Sequence, residues 1–288
     1  MDGTNTFFLI DYDDIPAHKK KQICHTKVVC KVRPEKDDPD RTRITIGGSI
    51  ICYHGDVGTN TASLELIKIL LNSVLSRKGA RFSTIDLRNF YLETPMKDSE
   101  YARIKISDIP AKFIDEYDLH GRDRNGWIYF EIRRGCYGLP QSGILANDLL
   151  RERLEAEGYY EAATIPGLWR HKWRPIQFCL LVDDFGVEYV GLEHFNHLLN
   201  LLKKYHGVQC NMSGDKFAGM NITWDYVNRR CRICMKGYIK DLLTKFKHPR
   251  PPKRRLSPYA CTPISYGAKS QLSPDEDTSE LLDAPRKL

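Results

Sequence analysis

Two adjacent aspartates stand where an apolar segment ends, a position in which carboxylates can do chemistry. The segment CLLVDDFGVEYVG at 179–191 runs from apolar residues into Asp183 and Asp184 and out into a second apolar run. A β-hairpin would place both carboxylates at its tip, beside buried side chains. Two like charges there resist burial unless a cation or a proton compensates them. An ordinary Asp-Asp turn on the surface is the alternative, and this segment alone leaves it open.

A second segment leads into one more aspartate in the same way. An apolar strand is predicted at the start of RFSTIDLRNFYLETPM, residues 81–96, and it ends at Asp86. If the two strands are neighbours in one sheet, three carboxylates meet at one edge. Such a set can hold two divalent ions roughly 3.5–4 Å apart for in-line phosphoryl transfer. All-oxygen ligation favours Mg²⁺, with Mn²⁺ as a substitute.

The elements that must position these aspartates follow a strand, helix, strand, strand, helix, strand order over residues 81–222. Hydrophobic periodicity and the flanking turn residues define them. The predicted strands are 81–87, 176–182, 185–189 and 216–222, and the predicted helices are 144–157 and 194–205. This order is typical of a split βαβ, ferredoxin-like sheet, so the expected fold class is α+β.

The other segments give weaker predictions. Residues 1–60 indicate short strands and turns, and residues 97–130 indicate polar loops with one short helix near 111–117. Further helices are expected at 63–77 and 238–246, and further strands at 223–227 and 231–235. From Lys247 onward the chain is basic, rich in proline and then polar, as in PRPPKRR at 249–255, which is typical of a linker.

Composition limits the classes of protein that need to be considered. The 288 residues are 41% hydrophobic, and the longest apolar runs fall far short of the roughly 18–20 residues of a membrane span. We therefore expect a soluble, intracellular protein with no membrane partner. The net charge of +7 favours a polyanionic partner, although many basic proteins never bind nucleic acid.

Two other kinds of site are disfavoured. Nine cysteines at irregular spacings indicate reduced thiols rather than a disulfide framework, and the CxxC pair Cys231 and Cys234 has no second pair at zinc-like spacing. No phosphate-binding loop motif is present, which argues against a P-loop ATPase.

The segments that carry the aspartates resemble the palm motifs of reverse transcriptases, most closely those in the Pol polyprotein of copia-type LTR retrotransposons. GCYGLPQSGILAN at 135–147, FAGMNITWDY at 217–226 and GYIKDLLTKF at 237–246 extend the resemblance in the same order, over roughly residues 3–250. Leu181 departs from the family pattern: it stands where the family usually has a tyrosine that contacts the primer end.

This resemblance implies a right-hand polymerase fold with a ferredoxin-like palm. Residues 1–80 would form the fingers, shortened at the N-terminus, and residues 81–230 the palm with a fingers insertion at 97–140. Residues 231–250 would begin the thumb, and residues 251–288 would be a flexible linker or tail. The implied activity is that of an RNA-directed DNA polymerase, a nucleotidyltransferase that adds dNTPs to a primer 3′ end by two-metal-ion phosphoryl transfer.

The resemblance also assigns roles to single residues. Asp86, Asp183 and Asp184 match the catalytic metal ligands. Tyr91 matches the aromatic residue that excludes a ribose 2′-hydroxyl, with a packed core aromatic as the alternative. Gln141 matches a residue that contacts the incoming nucleotide. Arg43 is the best match to the arginine that grips the triphosphate, with Arg41 as its competitor and a solvated charge as the alternative.

Primer and template contacts are implied farther along the chain. Phe217, Gly219 and Met220 match a hairpin that aims the primer end at the metals, although that hairpin also fills a sheet edge. Lys240 matches a thumb residue that follows backbone phosphates, and a solvated basic face is the alternative.

The implied partners are an RNA or DNA template with a DNA primer, and dNTPs. In related polyproteins RNase H and integrase domains accompany this region, so we expect either those domains or a partner subunit to complete the molecule. Such elements work in cytoplasmic particles and in nuclei. Two other hypotheses remain: an inactive retroelement fragment that keeps only the fold and nucleic-acid binding, and a binding module in which the aspartates are a relic.

Overall fold

The computed structural model of the chain describes residues 4–32, 40–235 and 237–247, which form an α+β structure with three β-sheets and five α-helices. The helices are α1 (Leu64–Ser76), α2 (Ala111–Glu116), α3 (Ser142–Ala156), α4 (Leu192–Lys203) and α5 (Tyr238–Lys245). The strands are β1 (Phe7–Ile10), β2 (Cys24–Val32), β3 (Asp40–Ile46), β4 (Arg81–Arg88), β5 (Pro95–Lys105), β6 (Trp127–Arg134), β7 (Tyr159–Glu161), β8 (Leu168–His171), β9 (Ile176–Leu181), β10 (Asp184–Tyr189), β11 (Gly207–Asn211), β12 (Lys216–Phe217), β13 (Met220–Asp225) and β14 (Arg230–Cys234).

A six-stranded sheet, which we call the central sheet, has the order β11-β4-β10-β9-β8-β7, and every neighbouring pair in it is antiparallel. Helices α3 and α4 bury their apolar residues with one set of strand side chains, among them Ile85 and Phe185. Helix α1 buries its apolar residues with another set that includes Phe82 and Cys179. Because side chains alternate along a strand, these sets belong to opposite faces of the sheet.

Helix α1 shows how local sequence produces these elements. The Ser63 hydroxyl accepts the backbone N–H of Leu66 at 3.2 Å, which satisfies a donor that the first turn leaves without a partner. Apolar residues at helical spacing then bury one face, including Ile67, Leu71 and Val74. The predicted helix at 63–77 is therefore confirmed.

The predicted last strand of the central sheet is wrong. Residues 216–222 do not form one strand, because Ala218 and Gly219 have φ angles of 49° and 76° and turn the chain. β12, β13 and β14 form a separate three-stranded sheet instead. The position beside β4 belongs to β11, a short half-buried strand that the sequence did not indicate.

The prediction of polar loops over 97–130 is also wrong in part. Residues 97–105 belong to β5, an eleven-residue strand in a five-stranded sheet of order β1-β6-β5-β2-β3. Charged side chains on its exposed positions and a register shift between Pro95 and Glu100 hide the alternation that marks a strand. The short helix expected near 111–117 is present as α2.

Contacts divide the chain into two units, Met1–Lys236 and Gly237–Leu288. In the second unit, α5 begins after Gly237 and buries none of its residues, and Lys240 is exposed on it. The basic segment at 249–255 and the predicted tail at 251–288 lie outside the described residues. Among the helices that the structure describes, none combines the length and the apolar character needed to cross a membrane.

A buried histidine makes the folded structure sensitive to acid. The His206 side chain is 2% exposed, and the Arg153 guanidinium lies 3.0 Å from its Nε2. Burial, and then the charge of Arg153, lower the pKa of His206 from 6.5 to about 4. The Glu93 carboxyl lies 3.0 Å from Nδ1 of His206. Burial raises the pKa of Glu93 and so disfavours its charged form, and this carboxyl does not restore the pKa of His206 to its ordinary value.

We expect stability to fall between pH 6.5 and 4, because the unfolded chain then binds a proton at His206 that the folded chain does not bind. At pH 5 this linkage amounts to about 2 kcal/mol of unfolding free energy. Urea denaturation at pH 7.5 and pH 5 should show that His206→Gln loses that much less stability on acidification than the parent. The exposed His120→Gln is the control, and equal pH dependence of the parent and His206→Gln would contradict the assignment.

Candidate active site

Strand register brings the separate aspartates together. Asp86 in β4 and Asp184 in β10 are directly opposite partners, so their side chains leave the same face of the sheet. The backbone N–H of Leu87 donates to the carbonyl oxygen of Asp183 at 3.0 Å, which ties the end of β4 to the turn. The condition set by the sequence, that the segments carrying the aspartates are neighbours in one sheet, is thus met.

The turn that carries Asp183 has an unusual backbone. Leu181 and Asp184 are paired across β9 and β10, so only Val182 and Asp183 form the loop. Val182 has a φ of 59°, which a β-branched residue rarely adopts. Such a conformation costs on the order of 1–3 kcal/mol and is concentrated at functional sites.

The aspartates lie in a cleft of about 730 Å³, which we call the acidic cleft. Three acidic and three basic side chains line it, together with polar and aromatic groups. The lining residues are Arg43, Thr84, Ile85, Asp86, Leu87, Arg88, Asn89, Tyr137, Asp183, Asp184, Gln209, Cys210, Asn211, Lys216, Phe217, Ala218 and Gly219. A cleft with both charges can bind a ligand that carries phosphates and also requires cations.

Arg43 reaches the acidic cleft from β3, in the other large sheet. Its guanidinium lies over the ring of Tyr137, 4.9 Å from the ring centre. Its Nε is buried and has no hydrogen-bond partner among the described residues. A buried donor without a partner costs free energy, which an anionic ligand would recover. The structure places Arg43 among the lining residues, whereas the side chain of its competitor Arg41 lies outside the described part of the chain.

Tyr91 and Gln141, which the sequence assigned to nucleotide binding, are not among the described residues that line the acidic cleft. The Tyr91 ring meets the edge of Tyr137 with centres 5.3 Å apart. Burial, and then the charge of Asp183, raise the pKa of Tyr91, so its hydroxyl stays protonated at neutral pH. Gln141 is buried and its amide donates to Glu100 Oε1 at 3.1 Å, so that its contact is with β5.

The hairpin between β12 and β13 contributes the next part of the lining. Phe217 packs against β10 at Gly186, where an added Cβ would lie 2.5 Å from the phenylalanine ring. This contact fixes the hairpin beside the aspartates, and Phe217 and Gly219 both line the acidic cleft. Met220 is buried below them at 5% exposure. Lys240, on α5, belongs to the second unit.

The donor chemistry of the three aspartates fits a hard divalent cation, because all their ligand atoms are oxygens and the strand register holds two of them side by side. Within the described residues, however, no group of three or more His, Cys, Asp or Glu side chains has the arrangement of a metal site. The fit therefore rests on oxygen donors and backbone placement. Cys231 and Cys234 are free thiols in the structure.

Sequence reasoning missed several lining residues. Tyr137 had a motif around it but no assigned role, although it contacts both Arg43 and Tyr91. Gln209 pairs with Asp86 across β11 and β4, and nothing local marks that pairing. A scan of the chain against protein-family models finds no match, so its family is not established by that comparison.

Proposed function

We propose that this chain is the polymerase core of a copia-type retrotransposon reverse transcriptase, an RNA-directed DNA polymerase that adds dNTPs to a primer 3′ end. The observation that carries the proposal is the pairing of Asp86 with Asp184, next to Asp183, in one cleft. Arg43, a cation with an unsatisfied buried donor, lines the same cleft. Carboxylates for divalent ions and an arginine for phosphates are the groups that phosphoryl transfer uses.

The chain order of the central strands supports a ferredoxin-like palm. β4 is followed by α3 and β9, and β10 by α4 and β11, while the spatial order is β11-β4-β10-β9. That is the strand–helix–strand–strand–helix–strand arrangement of a split βαβ sheet, here with β7 and β8 added at one edge. On this proposal, the five-stranded sheet belongs to the fingers and α5 begins the thumb.

The chain's residues would act mainly by positioning and by charge. Asp86, Asp183 and Asp184 would hold the divalent ions at the sheet edge. When bound, two Mg²⁺ ions supply activation of the primer hydroxyl and stabilisation of the leaving pyrophosphate. Arg43 would bind the triphosphate, and the hairpin at 217–219 would position the primer 3′ end relative to the three aspartates. Template sequence should matter little, because the contacts are to phosphates and duplex shape.

Two further residues, which are not among those that line the acidic cleft, would also contribute. Tyr91 would limit the space next to the sugar through its contact with Tyr137, and so favour dNTPs. Gln141 would hold the 135–141 turn through Glu100, which keeps Tyr137 below Arg43.

Primer extension tests the proposal directly. We expect the chain to extend oligo(dT) on poly(rA) with dTTP and Mg²⁺, and we expect the Asp183→Asn/Asp184→Asn variant to give no extension above background. The variant removes two negative charges, one from the half-buried Asp183 and one from the exposed Asp184, and keeps the shape of each side chain. Its folding can be verified by circular dichroism.

The outcome also separates the alternatives. If the folded parent gives no extension but binds primer–template in a salt-sensitive way, the chain is a nucleic-acid-binding fragment and the polymerase proposal fails. If extension appears only when RNase H, integrase or a partner subunit is added, the core is active but incomplete.

A further inference from the structure

A second cleft, of about 410 Å³, lies towards the other end of the central strands. We call it the distal cleft. The end of α1 and residues of β7, β8 and β9 line it. Gln177 of β9 is one of them, four residues before Leu181, the partner of Asp184. At about 3.4 Å per residue, roughly 14 Å of strand separates the distal cleft from the acidic edge.

Three arginines line the distal cleft: Arg77, Arg170 and Arg174. Arg77 has an acidic partner, since its guanidinium lies 3.5 Å from the buried carboxylate of Glu188. Within the described residues, no carboxylate lies within 4.0 Å of Arg170 or Arg174. The Nε of Arg174 is buried and makes no hydrogen bond there. Nη1 of Arg174 lies 3.3 Å from Nδ1 of His194, which is a ring nitrogen and not a carboxylate. The guanidinium charges of Arg170 and Arg174 are thus available to an anion.

The histidine in this cleft does not add a charge. Nδ1 of His171 accepts the backbone N–H groups of Trp173 and Arg174, at 3.2 and 3.1 Å. Its Nε2 lies 3.0 Å from the carbonyl oxygen of Glu157 and can donate to it. Both ring nitrogens are therefore used by the backbone in the neutral form, and the positive charge of the cleft comes from the arginines alone.

Exposed aromatic rings adjoin these arginines. Trp173 is 68% exposed, whereas Trp169, four residues earlier, is 1% exposed and part of the core. The Arg174 guanidinium lies over the Trp173 ring, 4.1 Å from its centre. Tyr160 is 42% exposed and is the cross-strand partner of Arg170, so the two side chains share one face of the sheet.

We infer that this distal surface, formed by Tyr160, Arg170, Trp173 and Arg174, binds single-stranded nucleic acid. Arginines beside exposed aromatic rings are the combination that such strands require, because phosphates need cations and unstacked bases need a flat apolar partner. A duplex offers phosphates but hides the faces of its bases, so it would not use Trp173. The inference does not depend on polymerase activity, because none of these residues lines the acidic cleft.

Fluorescence anisotropy with a short labelled oligo(rU) tests this on the whole chain. The Arg170→Gln/Arg174→Gln variant should lower the magnitude of the slope of log K against log salt by about 1.4, because each lost phosphate contact on a single strand is worth about 0.7. Trp173→Ala should weaken binding by roughly 5- to 150-fold, the range for loss of one stacked base. Arg77 is kept, because its removal would leave Glu188 buried without its cation.

A matched control removes the same charge elsewhere. Lys68 and Lys112 are exposed on α1 and α2 and line neither cleft, so Lys68→Gln/Lys112→Gln should keep the parent's slope. Photo-crosslinking with 4-thiouridine should mark peptides containing Tyr160 or Trp173, in the parent and equally in Asp183→Asn/Asp184→Asn.

Three results would overturn the inference. The first is crosslinks confined to the acidic cleft, and the second is the same salt slope in the arginine variant as in its control. The third is a loss of duplex binding in Trp173→Ala as large as its loss of oligo(rU) binding. None of these readouts uses primer extension, so a failure here is distinguishable from a failure of the polymerase proposal.

Discussion

Substituting Asp86 by asparagine is expected to reduce primer extension by at least about 1,000-fold while leaving the fold as stable as before, or slightly more stable. The loss follows because a carboxylate that holds a catalytic divalent ion cannot be replaced by a neutral amide. The stability change has the opposite sign, because Asp86 stands directly opposite Asp184 and like charges in that position destabilise a sheet by about 0.2–1 kcal/mol.

A lower rate of primer extension together with an unchanged or higher free energy of unfolding distinguishes a functional carboxylate from a structural one. Single-turnover extension gives the rate, and urea denaturation gives the free energy of unfolding. The matched control is Asp98→Asn, which removes the same charge from an exposed position on β5 and should change neither quantity. Full activity of Asp86→Asn would remove Asp86 from the site, and a large loss of stability would mean that its role is structural.

A binding measurement makes this prediction independent of turnover. A ligand that binds only the folded state raises the unfolding free energy. Mg²⁺ should therefore raise the thermal midpoint of the parent more than that of Asp86→Asn, and EDTA should abolish the difference. Identical responses to Mg²⁺ would show that the acidic cleft does not bind the ion through Asp86.

The sequence predicted the parts of the fold whose signals are local. Helix α1 has a serine cap and a clear apolar stripe, and β9 and β10 are apolar runs on either side of Val182 and Asp183. The sequence showed that β4 and β9 each lead into carboxylates, but their adjacency in one sheet was only a condition of the argument. The structure meets that condition through β10, which lies between β4 and β9 and begins at Asp184.

The missed features depend on long-range contacts. Strand β11 has only five half-buried or exposed residues, and its place beside β4 is fixed by pairing with residues over a hundred positions earlier. In β5, Glu100 is buried because Lys19 and Gln141 supply its ion pair and hydrogen bond. A buried charge looks like a loop residue until its partners are known. The left-handed backbone of Val182 is likewise imposed by the strands on either side of it.

Substituting Gly138 by alanine is expected to destabilise the folded chain by about 3 kcal/mol or more, because the backbone there leaves no room for a side chain. A Cβ on Gly138 would lie 1.9 Å from the carbonyl oxygen of Ile46, and the φ of 96° is itself unfavourable for alanine. The two segments cannot separate freely, because the Ile46 N–H donates to the Tyr137 carbonyl oxygen at 2.7 Å.

This contact also holds together Arg43 and Tyr137, the pair that we propose for binding the triphosphate. Ile46 follows Arg43 on β3, and Gly138 follows Tyr137, so the close approach of the two backbones is what keeps the guanidinium over the ring. We therefore expect Gly138→Ala to weaken dNTP binding as well as stability, measured as a higher KM at a temperature where the variant remains folded. Loss of stability with an unchanged KM would mean that Arg43 is positioned by other contacts.

Gly126→Ala is the control that separates steric overlap from backbone strain. Gly126 has a φ of 78°, but an added Cβ there would meet nothing within 4 Å. Its substitution should therefore cost only about 1–2 kcal/mol, the strain of a left-handed residue. If urea denaturation shows equal losses for the two variants, the approach of residues 46 and 138 is not a tight contact. A larger loss for Gly138→Ala means that the glycine in the Gly-Leu-Pro-Gln segment is required because two backbones touch there.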